Sequence, residues 1–195
     1  MDDRLKKLWK FIWYDDSALS WIVNVALAFI IVKFIIYPIL AFLLGTSYPV
    51  VAVVSCSMEH NSNLGNCALR HSEFNSWWDQ KTVFYEKFGI NKEEFSKYNF
   101  ANGFNKGDLM VLKKPNNLKR GDIIVFYGGV GEPIIHRLVD SNNIITQGDN
   151  NQGSRSDEFN IDKEKIIGKA FFRIPYLGWF KVWFNDLLSL FFKIN

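Results

Sequence analysis

The chain has 195 residues and a formal net charge of +3, with 23 basic against 20 acidic residues. That length suits one compact domain plus a smaller added element, and a weak charge with no Lys/Arg stripe excludes a nucleic-acid partner. Two cysteines, Cys56 and Cys67, without a CxxC pair argue against a zinc site, and no residue pattern asks for a metal or cofactor.

Residues 1–17 hold four basic side chains, Arg4, Lys6, Lys7 and Lys10. The next stretch, "ALSWIVNVALAFIIVKFIIYPILAFLL" over 18–44, predicts a transmembrane helix. At 1.5 Å per residue it would be about 40 Å long, whereas a bilayer core needs about 20 apolar residues. It is too long for the apolar region of a secretory signal, and no small-x-small site follows it. Lys33 is costly in lipid, so the hydrocarbon-spanning part is expected over about Leu19 to Tyr37, with Lys33 snorkelling outward and Pro38 bending the exit. After the span no Lys or Arg occurs before Arg70. The positive-inside rule then puts the N-terminus in the cytoplasm and residues 45–178 outside, in a single-pass arrangement.

Within 45–178, "YPVVAVVS", "GDLMVLKK", "KRGDIIVFYGG", "PIIHRLVD", "NNIITQGD" and "KIIGKAFFRIP" are short apolar runs bounded by Gly, Pro, Asn or Asp. Such spacing predicts a mainly β domain, a small antiparallel barrel or sandwich. Residues of about 61–105 interrupt it as a helical insertion, with Trp77, Phe84 and Phe88 on one side and an Asn-x-x-Glu start signal in "INKEEF". The insertion is either a packed flap or a docking element that presents Trp77 and Trp78. Residues 179–195 place Lys181, Asn185, Asp186, Ser189 and Lys193 on one arc against Trp, Phe and Leu. This predicts an amphipathic helix on a membrane surface, with a second span as the alternative.

The residues able to do chemistry are few. Ser57 ends a strand-like run inside a Ser-x-Ser pair. A serine nucleophile needs a base and donors for the oxyanion it creates. Of the three histidines, His60 and His71 lie in polar sequence and are expected in solvent. His136 sits in "PIIHRLV", where a strand would turn it away from Ile135 and Arg137. A buried structural histidine would give the same pattern. Asp149 and Asp157 lie in the loop "TQGDNNQGSRSDEF", where an acid is ordinarily a turn former. A Ser-His-Asp arrangement can be drawn from these residues, but triads are recognised by geometry and not by order.

Taken together, "SCSM" after an N-terminal span, then "KRGDIIVF", "IIHR" and "GDNN", resemble type I signal peptidases, in particular the archaeal and endoplasmic-reticulum branch. In the bacterial branch a lysine stands at the place of His136. The resemblance covers the span, the Ser57 region and about residues 106–178, while the 61–105 insertion is outside the common pattern. It implies a membrane-bound serine endopeptidase that removes signal peptides from exported preproteins, cleaving after small residues at the outer membrane face. It implies Ser57 as nucleophile, His136 as general base, and Ser55 assisting the Ser57 N–H at the oxyanion. Asp149 and Asp157 match the two downstream acids, with Asp157 favoured as the partner of His136, although its spacing is longer than the pattern. It further implies the lipid bilayer and secretion machinery or accessory subunits as partners, and a plasma-membrane or endoplasmic-reticulum location.

Two positions depart from Ser-Gly-Ser-Met-Glu-Pro: Cys56 replaces the glycine and His60 the proline. Cys56 and Cys67 would either form a disulfide in an oxidising exterior or remain thiols. The departures leave open a non-catalytic, membrane-anchored binding protein that kept the fold. If the enzyme reading holds, a serine a few residues beyond its own span meets its bond at the depth where a signal helix ends, and the encounter becomes two-dimensional.

Overall fold

The computed structural model of the chain describes residues 2–61, 67, 74–129 and 131–184. They form two compact units, Met1–Leu43 and Leu44–Asn195.

In the first unit, α1 (Asp3–Tyr14) begins where the Asp2 carboxylate accepts from the Arg4 N–H, 3.3 Å away. The chain then enters α2 (Ala18–Ile31), capped by Ser17, whose hydroxyl accepts from the Ser20 N–H at 3.2 Å. The two polar side chains of α2 are spent on the turn. Ser20 Oγ donates to the Phe11 carbonyl (2.6 Å) and Asn24 Nδ2 to that of Ile12 (2.9 Å), both orphan acceptors at the end of α1. A π-helical turn (Val32–Ile36) leads into α3 (Tyr37–Leu44). Pro38 has no N–H to give, and the wide turn before it keeps the helix continuous to Leu44. Ala18–Leu44 is thus one helix of 27 residues, long and apolar enough to cross a membrane. The Lys33 ammonium sits over the rings of Phe29 and Phe34, at 5.6 and 5.4 Å.

The second unit is built on one six-stranded sheet: β1 (Val50–Ala52), β2 (Leu109–Lys113), β3 (Ile123–Tyr127), β4 (Pro133–Asp140), β5 (Ile145–Gln147) and β6 (Ile166–Ile174). The order is β1-β2-β6-β3-β4-β5, with every neighbouring pair antiparallel. β3 is almost continuously buried because both of its faces are covered. Ile123 and Val125 join a core with Val53, Met58, Phe104, Met110, Leu112 and Ala170, while Ile124 and Phe126 join Leu138, Ile144, Ile161 and Ile166.

Two expectations are corrected. Over the described residues helix exceeds strand, so the chain as a whole is not mainly β; the long N-terminal helix and the insertion outweigh the short strands. Nor do the strands close into a paired ring among those residues, since β1 and β5 are edges. The row is curled instead, far enough that Ala52 of β1 and Ile135 of β4 line one groove.

The insertion contributes α4 (Phe74–Glu86) and α5 (Lys92–Ser96), the latter capped by Asn91, whose side-chain Oδ1 accepts from Glu94 N at 2.8 Å. Trp77 and Trp78 are 0% and 3% exposed, packed with Tyr85, Ile90, Phe95 and Val139 of β4. They are core residues of a packed flap and cannot present a docking surface. Past β6, residues 179–184 are helical. Val182 is buried and Phe180, Trp183 and Phe184 are exposed. The rest of the expected amphipathic helix, residues 185–195, lies outside the described residues.

Candidate functional site

The loop after β1 is fastened from both sides. The Val53 carbonyl accepts from Gly107 N, and Val53 N donates to the Asp108 carbonyl, each at 2.8 Å. Met58 is fully buried in the core, and its carbonyl accepts from Phe104 N at 3.0 Å. Between these anchors Ser57 is half-buried, with its Oγ 3.2 Å from Ser55 Oγ. Cys56 and Cys67 form a disulfide with Cα atoms 5.2 Å apart, which selects between the two alternatives for the thiols. The two cysteines are 11 positions apart, and closing such a loop is worth about 3 kcal/mol in the chain-entropy account.

The "GDNN" turn holds the Ser57 loop from the other side. Asn150 N donates to the Ser57 carbonyl (2.8 Å) and Asn150 Nδ2 to that of Cys56 (3.0 Å). The same turn backs His136. A side chain at Gly148 would put its Cβ 2.8 Å from His136 Nε2 and 2.5 Å from Asn151 Nδ2, so only glycine allows the approach. Ser55, Ser57, His136 and Asn151 line one groove of about 360 Å³, with Arg155 and Glu132 also on its wall.

His136 stands on β4, its side chain on the opposite face from Ile135 and Arg137 as the strand alternation requires. Its Nδ1 is hydrogen-bonded to Glu158 Oε1. Glu158 is fully buried and held by other donors. Thr146 Oγ1 donates to Oε1 at 3.2 Å, and Arg155 N donates to Oε2 at 2.7 Å. An ionised carboxylate only accepts, so Nδ1 carries the proton and Nε2 is the basic nitrogen.

The partner acid of His136 is therefore Glu158, not Asp157 or Asp149. Asp157 points away: its Oδ2 accepts from Gly129 N (2.9 Å) and from Arg155 Nη2 (3.0 Å). The Gly129 N–H, with Arg155 adding to it, holds its carboxyl below the usual range. The two acids are consecutive in a 3-10 turn, Ser156–Glu158, which aims successive side chains in different directions. The long spacing counted against Asp157 but did not point to Glu158, which stands one residue further downstream.

Asp149 is buried elsewhere. Arg137 reaches it with Nε (3.0 and 3.2 Å) and Nη2 (2.7 Å), His60 Nε2 lies 2.9 Å from Oδ2, and Tyr85 OH donates at 2.8 Å. Burial would raise its pKa, but the Arg137 charge and the His60 hydrogen bond override that and hold the carboxyl well below the carboxylate range. Arg137 spends its remaining N–H groups on the carbonyls of Asn99, Gly121 and Phe100. His60, expected in solvent, is 1% exposed and stacked on Trp77 with centroids 3.5 Å apart. It replaces the pattern's proline because it belongs to this buried cluster. His71 lies outside the described residues.

No protein-family model matches the chain. Curated relatives do. A signal peptidase complex catalytic subunit SEC11 of Plasmodium falciparum is 25% identical over 97 residues, 43% of this chain and 53% of the relative. That of Colletotrichum graminicola is 31% identical over 98 residues, 43% of this chain and 57% of the relative. Over this stretch the chain is a homologue of signal peptidase catalytic subunits. Human SEC11C matches at 32% over 98 residues, 51% of its length. The chain thus spans about half the length of the SEC11 relatives it matches.

Proposed function

We propose that the chain is a membrane-anchored serine endopeptidase that removes signal peptides from exported preproteins, with Ser57 as nucleophile, His136 as general base and Glu158 as the acid that orients it. The observation that carries the reading is the His136–Glu158 pair, with Nε2 left as the basic nitrogen beside a groove that also holds Ser57. The SEC11 homology supports the reaction class.

In the first half-reaction Ser57 Oγ attacks the scissile carbonyl carbon while its proton passes to His136 Nε2. Glu158 stabilises the imidazolium and keeps the ring in the productive tautomer. The Ser57 N–H and the Ser55 hydroxyl, 3.2 Å from Ser57 Oγ, are the donors available to the oxyanion. Collapse breaks the C–N bond, and Nε2 returns its proton to the leaving amine. Water then attacks the acyl-enzyme by the same route and frees Ser57. Asp149 takes no part in these transfers; it ties β4 to the insertion and sets the turn behind His136.

The substrate would lie extended in the groove past Ala52, Val54 and Ile135, whose shallow apolar walls suit small side chains. The 27-residue helix would be the anchor, with the N-terminus and its four Lys/Arg side chains cytoplasmic and the sheet domain outside or lumenal, in the plasma or endoplasmic-reticulum membrane. Residues 179–195 would lie on the membrane surface, and accessory subunits of a secretion complex are the expected partners. Cleavage of a model precursor in detergent or liposomes by wild type but not by Ser57→Ala is the expected result. Equal cleavage by both would remove the peptidase reading and leave the binding-protein one.

A further inference from the structure

We propose that Lys81, on α4 of the insertion, is a positioning residue for hydrolysis, holding the Gly148–Asn151 turn that sets Ser57 against His136. The proposal rests on the peptidase reading above. Lys81 is 2% exposed and among the largest fully enclosed side chains of the domain. Burying an ammonium is costly unless it is hydrogen-bonded. Its Nζ donates to the backbone carbonyl of Asn151.

That carbonyl closes the turn. It also accepts from Gln147 Nε2 at 2.9 Å, the same amide donates to the Gly148 carbonyl at 2.8 Å, and Asn151 N donates to the Gly148 carbonyl at 2.9 Å. Several contacts that set the reacting groups leave from this turn. Asn150 grips the carbonyls of Cys56 and Ser57, Gly148 backs His136 Nε2, and Asn151 lines the groove. Lys81 is thus a point, beside the Tyr85–Asp149 hydrogen bond, where a helix outside the common signal peptidase pattern is coupled to the turn's backbone.

A simpler role, neutralising Asp149, fits less well. Asp149 already has the two-pronged Arg137 contact, His60 and Tyr85, whereas the Lys81 hydrogen bond goes to the turn's backbone. Burial lowers the Lys81 pKa, the Asp149 charge partly offsets this, and the result is about 8, so the side chain remains mostly charged at neutral pH. A methionine of similar volume would fill the space without the cost. What it would lack is the donor. Misplacing a reacting group by about 1 Å can cost roughly 100-fold in rate.

The test uses the full chain in detergent with a precursor peptide, and compares wild type, Ser57→Ala, Lys81→Met and Lys81→Gln. If wild type and Ser57→Ala cleave equally, the peptidase reading fails, and the proposal with it. If only wild type cleaves, Lys81→Met is expected to lower kcat by about 10- to 100-fold with KM within about twofold, and Lys81→Gln, which restores a neutral donor, to fall between the two. The proposal is overturned if Lys81→Met keeps wild-type kcat, if its loss lies in KM, or if glutamine is no better than methionine. Should the methionine variant fail to fold, glutamine decides. A kcat several-fold below wild type at unchanged Tm supports the proposal, and wild-type kcat ends it.

Discussion

His136 and Arg137 are neighbours on β4, each paired with an acid, and they serve opposite ends. Arg137 faces the aromatic insertion, its guanidinium 4.6 Å from the Phe95 ring centre and all its N–H groups bonded to Asp149 and backbone carbonyls. A pair so fully satisfied has nothing left with which to react. His136 faces the other way, with one nitrogen committed to Glu158 and the other beside the groove. Strand alternation alone separates the two environments. A buried ion pair is therefore not itself a sign of chemistry; the incompletely committed histidine that shares a groove with Ser57 is what the proposed function rests on.

The comparison breaks most sharply at the reactive pair. Ser57→Ala and His136→Ala should each lower kcat by several orders of magnitude while the protein stays folded, as steady-state cleavage assays and thermal melting would report. Turnover near wild type in either folded variant would move the chemistry elsewhere. On the structural side, Asp149→Asn leaves the Arg137 charge buried with a weakened partner, and a loss of about 3–5 kcal/mol of stability is expected by chemical denaturation. That is a large share of what a domain of this size holds. Its kcat per folded molecule should fall less than that of the Ser57 or His136 variants. A kcat loss as large as theirs with stability intact would reverse the assignment of the two acids' roles.

A smaller effect concerns Lys81, whose pKa lies near 8 in the folded chain and near 10.4 when unfolded. Between these values the unfolded state holds more protons, so this residue's contribution makes the folded state more stable as pH rises through that window. Melting wild type and Lys81→Met at pH 7.5 and 9.5 should show wild type gaining relative to the variant at the higher pH. A constant difference would show that the Lys81 amine is not shifted.

The strands were legible where apolar runs sat between Gly, Pro and Asn, and all six quoted runs contain a strand. The Asn91 cap and the insertion's helices were legible for the same local reasons. What the sequence hid was long-range. Nothing local separates Asp157 from Glu158; a single 3-10 turn decides which one reaches His136, 22 positions away along the chain. His60 sits in polar sequence, yet Trp77 and Asp149, brought from distant segments, enclose it. Trp77 and Trp78 were readable as aromatic, but only packing against Val139 of β4 makes them core. The mainly β reading failed for the chain as a whole because the N-terminal helices and those of the insertion outweigh six short strands.

The central claim is that Glu158 orients His136. The direct measurement is kcat on one precursor for Glu158→Gln and Asp157→Asn, with both variants shown to be folded by their Tm. Glutamine has a single acceptor oxygen and so keeps only one of the bonds from Thr146 and Arg155 N; it also carries no charge to stabilise the imidazolium and permits the wrong tautomer. The account predicts a loss of about 10³- to 10⁴-fold for Glu158→Gln. Asp157→Asn, which disturbs only a hydrogen bond to Gly129 and an exposed pair with Arg155, should stay within a few-fold of wild type. A crippled Asp157→Asn beside an active Glu158→Gln would contradict it.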